Sequence, residues 1–129
     1  MPIIRMDVPE GLTRDQKAAL RAKVHEAVAK TWANEHIYVA IREMFSEPGE
    51  GLVIATVDLR PGRGREEERG MALNALLAQA LRETIGAQQD DLVLLIRETP
   101  KRGFIVQGER LRDLRLITPE LEAVPAASS

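Results

Sequence analysis

Two groups of residues have the types and spacing that chemistry requires. The first is Pro2. A small second residue favours removal of the initiator methionine, which would leave proline at the terminus as a secondary amine with a lone pair. In a pocket, desolvation and neighbouring cations disfavour its ammonium form and draw its pKa toward neutrality, each unit corresponding to about 1.4 kcal/mol. A base tuned near the working pH is what proton abstraction needs. The plainer reading is a proline that only opens a strand. The second group is Arg60-Pro61-Gly62-Arg63-Gly64-Arg65, three guanidiniums placed just before a predicted helix. A helix N-terminus favours anions, the planar arginine fork suits a carboxylate, and glycine lets backbone approach a ligand closely. The run lacks the spacing and the Lys-Ser/Thr ending of a phosphate-binding loop. Its plainer reading is a solvated basic turn balanced by Glu66, Glu67 and Glu68.

Other residues give weaker signals. Glu98 ends an apolar run and could activate water, although it repeats Glu43, which suits an architectural role equally well. Tyr38 could donate a hydrogen bond from a strand or simply pack. Phe104 could wall a pocket or cover a core. His25 and His36 read as solvated, and Trp32 reads as core.

The elements that must position these groups follow from composition and repeats. The chain has 129 residues, 44% hydrophobic, 29% charged and only 3% aromatic, so its core must be aliphatic. The absence of cysteine excludes disulfides, thiol catalysis and Cys-ligated metals, and two distant histidines do not suggest a metal site. A net charge of −2 argues against a nucleic-acid surface. No apolar run approaches a membrane span, and no leader precedes the first strand, so the expected compartment is the cytoplasm.

Leu20, Val24, Ala27 and Val28 recur at helical spacing between Thr13 and Trp32. The pattern returns 53 positions later as Leu73, Leu77, Ala80 and Leu81, with Gly64 falling on Gly11. Val39-Ala40-Ile41-Arg42-Glu43 reappears as Leu94-Leu95-Ile96-Arg97-Glu98. Strands are predicted over Pro2 to Val8, Ile37 to Met44, Val53 to Leu59 and Leu92 to Ile96, with helices over Thr13 to Trp32 and Glu66 to Ile85. Thr13 and Gln16 fit a capping box. The chain therefore reads as an α/β (α+β) fold, two tandem β-α-β units forming a four-stranded sheet with two helices on one face. The units run over about 2–46 and 53–107 of a single domain. A short strand is expected at Phe104-Ile105-Val106, able to add to a neighbouring sheet edge, before a loose tail over about 111–129.

In this order, Pro2-Ile3-Ile4, Glu10-Gly11 before Thr13-Arg14-Asp15-Gln16-Lys17, Ile41-Arg42-Glu43-Met44, Gly64-Arg65 and Lys101-Arg102-Gly103-Phe104 resemble the tautomerase superfamily over roughly residues 2–110. The first half is similar to 4-oxalocrotonate tautomerase. The resemblance implies a cofactor-free keto–enol tautomerase acting on a small 2-oxo or 2-hydroxydienoic acid. Pro2 would move the proton, Arg63 and Arg65 with Arg60 nearby would hold the carboxylate, and Phe104 would exclude water. Tyr38 and Glu98 would complete the substrate site. Two positions depart from the family pattern: Leu12 stands where the first half would carry an arginine, and Tyr38 where a second-strand arginine is usual. Arg63-Gly64-Arg65 is also similar to malonate semialdehyde decarboxylase, although His36 falls where that enzyme has an aspartate. Arg60 to Arg63 with Glu98 and Pro100 is similar to cis-3-chloroacrylic acid dehalogenase, although Val28 replaces its helix histidine. The alternative activity is therefore dehalogenation, hydration or decarboxylation of a short acid, and a third reading is an anion-binding module without turnover. The implied assembly is a homotrimer, with a small carboxylate as ligand and neither nucleic acid nor membrane as partner.

Overall fold

The computed structural model describes residues 2–32, 36–100, 105–106 and 109–110. Two compact bodies are distinguished, residues 1–98 and 99–129. In the first, β1 (Ile3–Pro9), α1 (Arg14–Thr31) and β2 (Tyr38–Met44) are followed by β3 (Val53–Leu59), α2 (Glu66–Ile85) and β4 (Leu92–Glu98). A 3₁₀ turn over Gln89–Asp91 leads into β4. In the second body, β5 (Ile105–Val106) and β6 (Glu109–Arg110) pair antiparallel with each other. The tail over 111–129 lies outside the described residues.

Strict alternation makes the strands. Ile4, Met6 and Val8 of β1 and Val53, Ala55, Val57 and Leu59 of β3 point to one face and are buried. Leu20, Val24, Ala27 and Val28 of α1, and Leu73, Leu77, Ala80 and Leu81 of α2, cover that face and complete the core. The duplication predicted from sequence extends to single hydrogen bonds. Thr31 Oγ1 donates to Ala27 O at 2.8 Å, and Thr84 Oγ1 donates to Ala80 O at 2.7 Å. Thr13 caps α1 as expected: its Oγ1 accepts from Gln16 N at 3.1 Å, while Gln16 Oε1 accepts from Thr13 N at 2.9 Å. A left-handed Gly86 ends α2, a conformation glycine adopts without strain.

The sheet order is β2-β1-β3-β4. β1 runs parallel to β2, and β3 parallel to β4, as the β-α-β reading requires. The two β-α-β units join through antiparallel pairing of β1 with β3, where Ile3 lies opposite Asp58 and Met6 opposite Ala55. On the face away from the helices the repeat persists as ion pairs. Arg42 Nε approaches Asp7 Oδ1 at 3.2 Å, and Arg97 Nη2 approaches Asp58 Oδ2 at 3.1 Å. Arg5 Nη1 also reaches Asp58, at 2.9 Å.

The structure shifts the ends of β1 and the start of β2 by one residue and extends β4 by two. β4 continues beyond Ile96 through Arg97 to Glu98, because Arg97 is anchored across the sheet by two hydrogen bonds to Asp58. Apolar patterning could not detect this polar extension.

The core and the cap differ in weight. Leu77→Ala should lower unfolding stability by about 3 kcal/mol, within the range for emptying a fully buried leucine site. Thr13→Ala should lower it by about 1 kcal/mol, the usual value of a lost helix cap. Urea denaturation of both variants separates the two effects.

Candidate active site

The strand register gathers several of the predicted residues at one end of the sheet. Tyr38, Ile3, Asp58 and Arg97 form one cross-sheet row, and Leu59 lies opposite Glu98 one step further out. Pro2 precedes Ile3 and therefore lies at the same outer level as Leu59, which leads directly into Arg60. Adjacent strands are about 4.8 Å apart, so Pro2 and Glu98 flank β3 at about twice that spacing. The Pro2 ring is fully buried. Its residue number has the parity of Ile4 and Met6, which places it on the helix-covered side, and Glu98 shares the parity of Leu92 and Leu94 on β4.

Tyr38 is close in backbone but not in face. Its N–H donates to Pro2 O at 3.1 Å, whereas its side chain alternates with those of Val39 and Ile41 and lies on the opposite side of the sheet. Phe104 lies outside the described residues. His25 and His36 are exposed and Trp32 is buried, as the sequence suggests.

The arginine turn combines three backbone conformations of positive φ. Gly62 and Gly64 have φ of 89° and 90°, and Arg65, the N-cap of α2, has φ of 55°. An arginine at this position gives α2 no side-chain cap, so Glu66, Glu67 and Glu68 supply the negative charge that the helix start favours. Arg65 Nε donates to Glu68 Oε2 at 3.1 Å, and Arg65 Nη2 contacts the same oxygen. Arg63 is exposed. The balanced-turn reading is thus partly realised in a single chain. An exposed pair of this kind contributes only about 0.2–1 kcal/mol, little against which a carboxylate ligand must compete.

The equivalent turn of the first unit is held differently, and the contrast bears on Glu98. Gly11 N donates to Glu43 Oε2 at 3.2 Å, while Lys17 Nζ pairs with Glu43 Oε1 at 2.9 Å. In the second unit the position matching Lys17, three residues before the first core leucine, is Gly70. A Cβ added there would lie 2.7 Å from Ile96 Cδ1, so β4 occupies the space a side chain would need. Gly64 N donates instead to Glu66 Oε1, at 2.9 Å. Both restraints on Glu43 are therefore missing at Glu98, which makes no ion pair or side-chain hydrogen bond among the described residues. Among the described residues this difference distinguishes the two glutamates, which their shared place in the sequence repeat does not.

A cleft of about 290 Å³ opens beside the turn, lined by Lys30, Thr31, Arg65, Glu68, Arg69 and Ala72. Arg69 was not singled out in the sequence; a lone arginine after three glutamates reads as a solvated helix residue. A separate groove between the helices, spanned by the Lys23–Glu83 pair, holds none of the predicted residues. Among the described residues no group of three or more His, Asp or Glu side chains is placed to hold a metal ion. No helix among them is long and apolar enough to cross a membrane.

The mixed sheet with two helices is the fold of a wild-type fused 4-OT, a symmetric trimer. That structure matches with a TM-score of 0.70 and 24% identity, over 81% of this chain and 91% of the other. The family model "Tautomerase enzyme" matches residues 2–47 and 54–114. A probable tautomerase of Bacillus cereus (strain ATCC 14579) is 40% identical over 50 residues, 39% of this chain and 82% of the relative. The 2-hydroxymuconate tautomerase of Bacillus subtilis (strain 168) is 34% identical over 59 residues, 46% of this chain and 92% of the relative. The chain belongs to the tautomerase family, and it is an isomerase. A relative matched almost end to end spans less than half of it, in keeping with the internal duplication.

The Glu43 lock has a pH signature. Its carboxyl is held below the ordinary glutamate value of 4.5, chiefly by the hydrogen bond from Lys17 and then by the Gly11 N–H. Because the folded value is depressed, the stabilisation is complete above the unfolded value and is lost as pH falls through the folded one. Glu43→Gln should therefore lower the denaturation midpoint at pH 7 and flatten its decline below about pH 4.5. Glu98→Gln should leave the pH 7 midpoint unchanged.

Proposed function

We propose that this protein, once Met1 is removed, is a keto–enol tautomerase that uses the Pro2 amine to move a proton on a small 2-oxo or 2-hydroxydienoic acid. The observation that carries this reading is the β1–β3 pairing, which seats a fully buried Pro2 at the level of Leu59, directly before the arginine turn. Burial disfavours the charged ammonium form, so the free amine would be available as a base near neutral pH. Arg63 and Arg65, with Arg60 nearby, hold the substrate carboxylate by bidentate hydrogen bonds and polarise the adjacent carbonyl. The enol O–H proton passes to the proline nitrogen, the electron pair of the enol C=C takes that proton back from the prolinium at carbon, and the C=O forms as the free amine is regenerated. No electrons leave the substrate and no cofactor is required. Glu98, which shares the helix-covered side with Pro2, contacts the substrate from the end of β4.

The domain reading accompanying this activity is a single domain of two fused β-α-β units, about 2–46 and 53–107, assembled as a homotrimer like the fused 4-OT. Counting back from the matched Asp7 and Asp58, Val53 occupies the place of Pro2 in the second unit. A valine within the chain has no free amine, so each chain carries one reactive nitrogen.

A second reading is favoured by the release of Glu98 from the contacts that bind Glu43. In it Glu98 activates water for hydration, dehalogenation or decarboxylation of a short acid. Turnover of a 3-haloacrylate that is lost in Glu98→Gln, while ketonisation survives, would select it.

The primary test is intact mass combined with assay of phenylenolpyruvate and 2-hydroxymuconate. Protein lacking Met1 should turn over at least one of them. Pro2→Ala should lower kcat by about 10²–10⁴, the usual range for a general base. An acetylenic acid should label residue 2 with one equivalent per chain. Full turnover with Met1 retained, or ligand binding without turnover when Pro2 is free, would overturn the assignment.

A further inference from the structure

The geometry points to Arg69 as the positioning residue that fixes the arginine turn and thereby sets its affinity for a substrate carboxylate. This inference rests on the tautomerase reading for its substrate, but its structural basis is independent. Arg69 Nε donates to Gly64 O at 2.8 Å, and Arg69 Nη1 donates to Thr31 O at 2.6 Å. One planar group thus ties the turn of the second unit to the end of α1 in the first.

Both acceptors need such a partner. Thr31 O belongs to the last turn of α1, where carbonyls lack intrahelical donors and the helix dipole favours a cation. Gly64 lies between Arg63 and Arg65 at φ 90°, and glycine left to itself samples many backbone conformations. Here it is held on both sides, with its N–H on Glu66 and its C=O on Arg69. The two candidate clamp residues therefore extend from a peptide pinned at donor and acceptor. Neither contact is copied from the first unit, where Gly11 is held from β2 by Glu43. Arg69 sits in the N-terminal part of α2, where a cation is disfavoured by the dipole, so its placement is explained by the two carbonyls. Lysine, with a point charge and no rigid fork, could serve either acceptor but would not span them in the same geometry.

The test compares Arg69→Lys and Arg69→Gln with Lys17→Met, which breaks the first unit's lock beside a turn that carries Leu12 and no arginine. With Met1 removed, both Arg69 variants should raise KM for phenylenolpyruvate about tenfold while kcat stays within about twofold, as expected when carboxylate binding is lost uniformly along the reaction. Their pH profiles of kcat should match that of the parent. Amide exchange at residues 62–65 should accelerate in both, and Lys17→Met should change neither KM nor that exchange. Unchanged KM in folded Arg69 variants, or a fall in kcat at constant KM, would overturn the inference. If the parent protein lacking Met1 turns over neither substrate, the tautomerase reading fails, and exchange alone then judges the strut: unchanged protection at 62–65 refutes it.

Discussion

The antiparallel pairing of β1 with β3 is the constraint on which the rest of the molecule depends. Each β-α-β unit alone would leave one side of its first strand unpaired, with a row of exposed backbone donors and acceptors. Pairing the two first strands satisfies both rows and creates one continuous core beneath α1 and α2. Because the strands run in opposite directions, the start of β1 meets the end of β3. Pro2 is thereby brought to the level at which the chain leaves Leu59 for the arginine turn. A parallel junction would have placed the turn at the far end of the sheet from Pro2.

The two units share their apolar framework and differ in their polar fastenings. Burial of the core leucines and valines contributes kilocalories per side chain, whereas exposed ion pairs contribute tenths. Lys17 can therefore become Gly70, and the hold on the glycine turn can pass from Glu43 to Glu66, without endangering the fold. These small exchanges have large local consequences. They leave Glu98 without the partners that occupy Glu43, and they move the fastening of the second turn from the sheet to α2.

The framework was legible in the sequence because its signals are periodic. Alternation marked the strands, the 3.6-residue spacing marked the helices, and the shared spacing of Leu20 and Leu73 exposed the duplication. The capping box was readable because its residues lie three apart. The site was less legible because its geometry depends on contacts distant in sequence. The face presented by Tyr38 follows from register against β1, and the extension of β4 depends on Asp58, 39 residues from Arg97. Arg69 has no local pattern at all, since its acceptor Thr31 is 38 residues away. The pairing of Arg65 with Glu68, by contrast, was implicit in the run of three glutamates, which the sequence offered as the plainer reading of the same turn.

Fusion itself explains how such asymmetry can exist. In an assembly of identical single units, any substitution appears in every copy, so a change that suits one site is imposed on all of them. A duplicated chain removes that coupling. One half can keep Glu43 and Lys17 as a structural fastening beside a turn carrying Leu12, while the other places arginines on the matching turn and braces them from its own helix. Under the proposed function, the half that supplies the terminal nitrogen need not supply the cations, provided the first strands stay paired. The mixed sheet keeps them paired through backbone hydrogen bonds and a buried aliphatic layer, neither of which depends on what the turns carry.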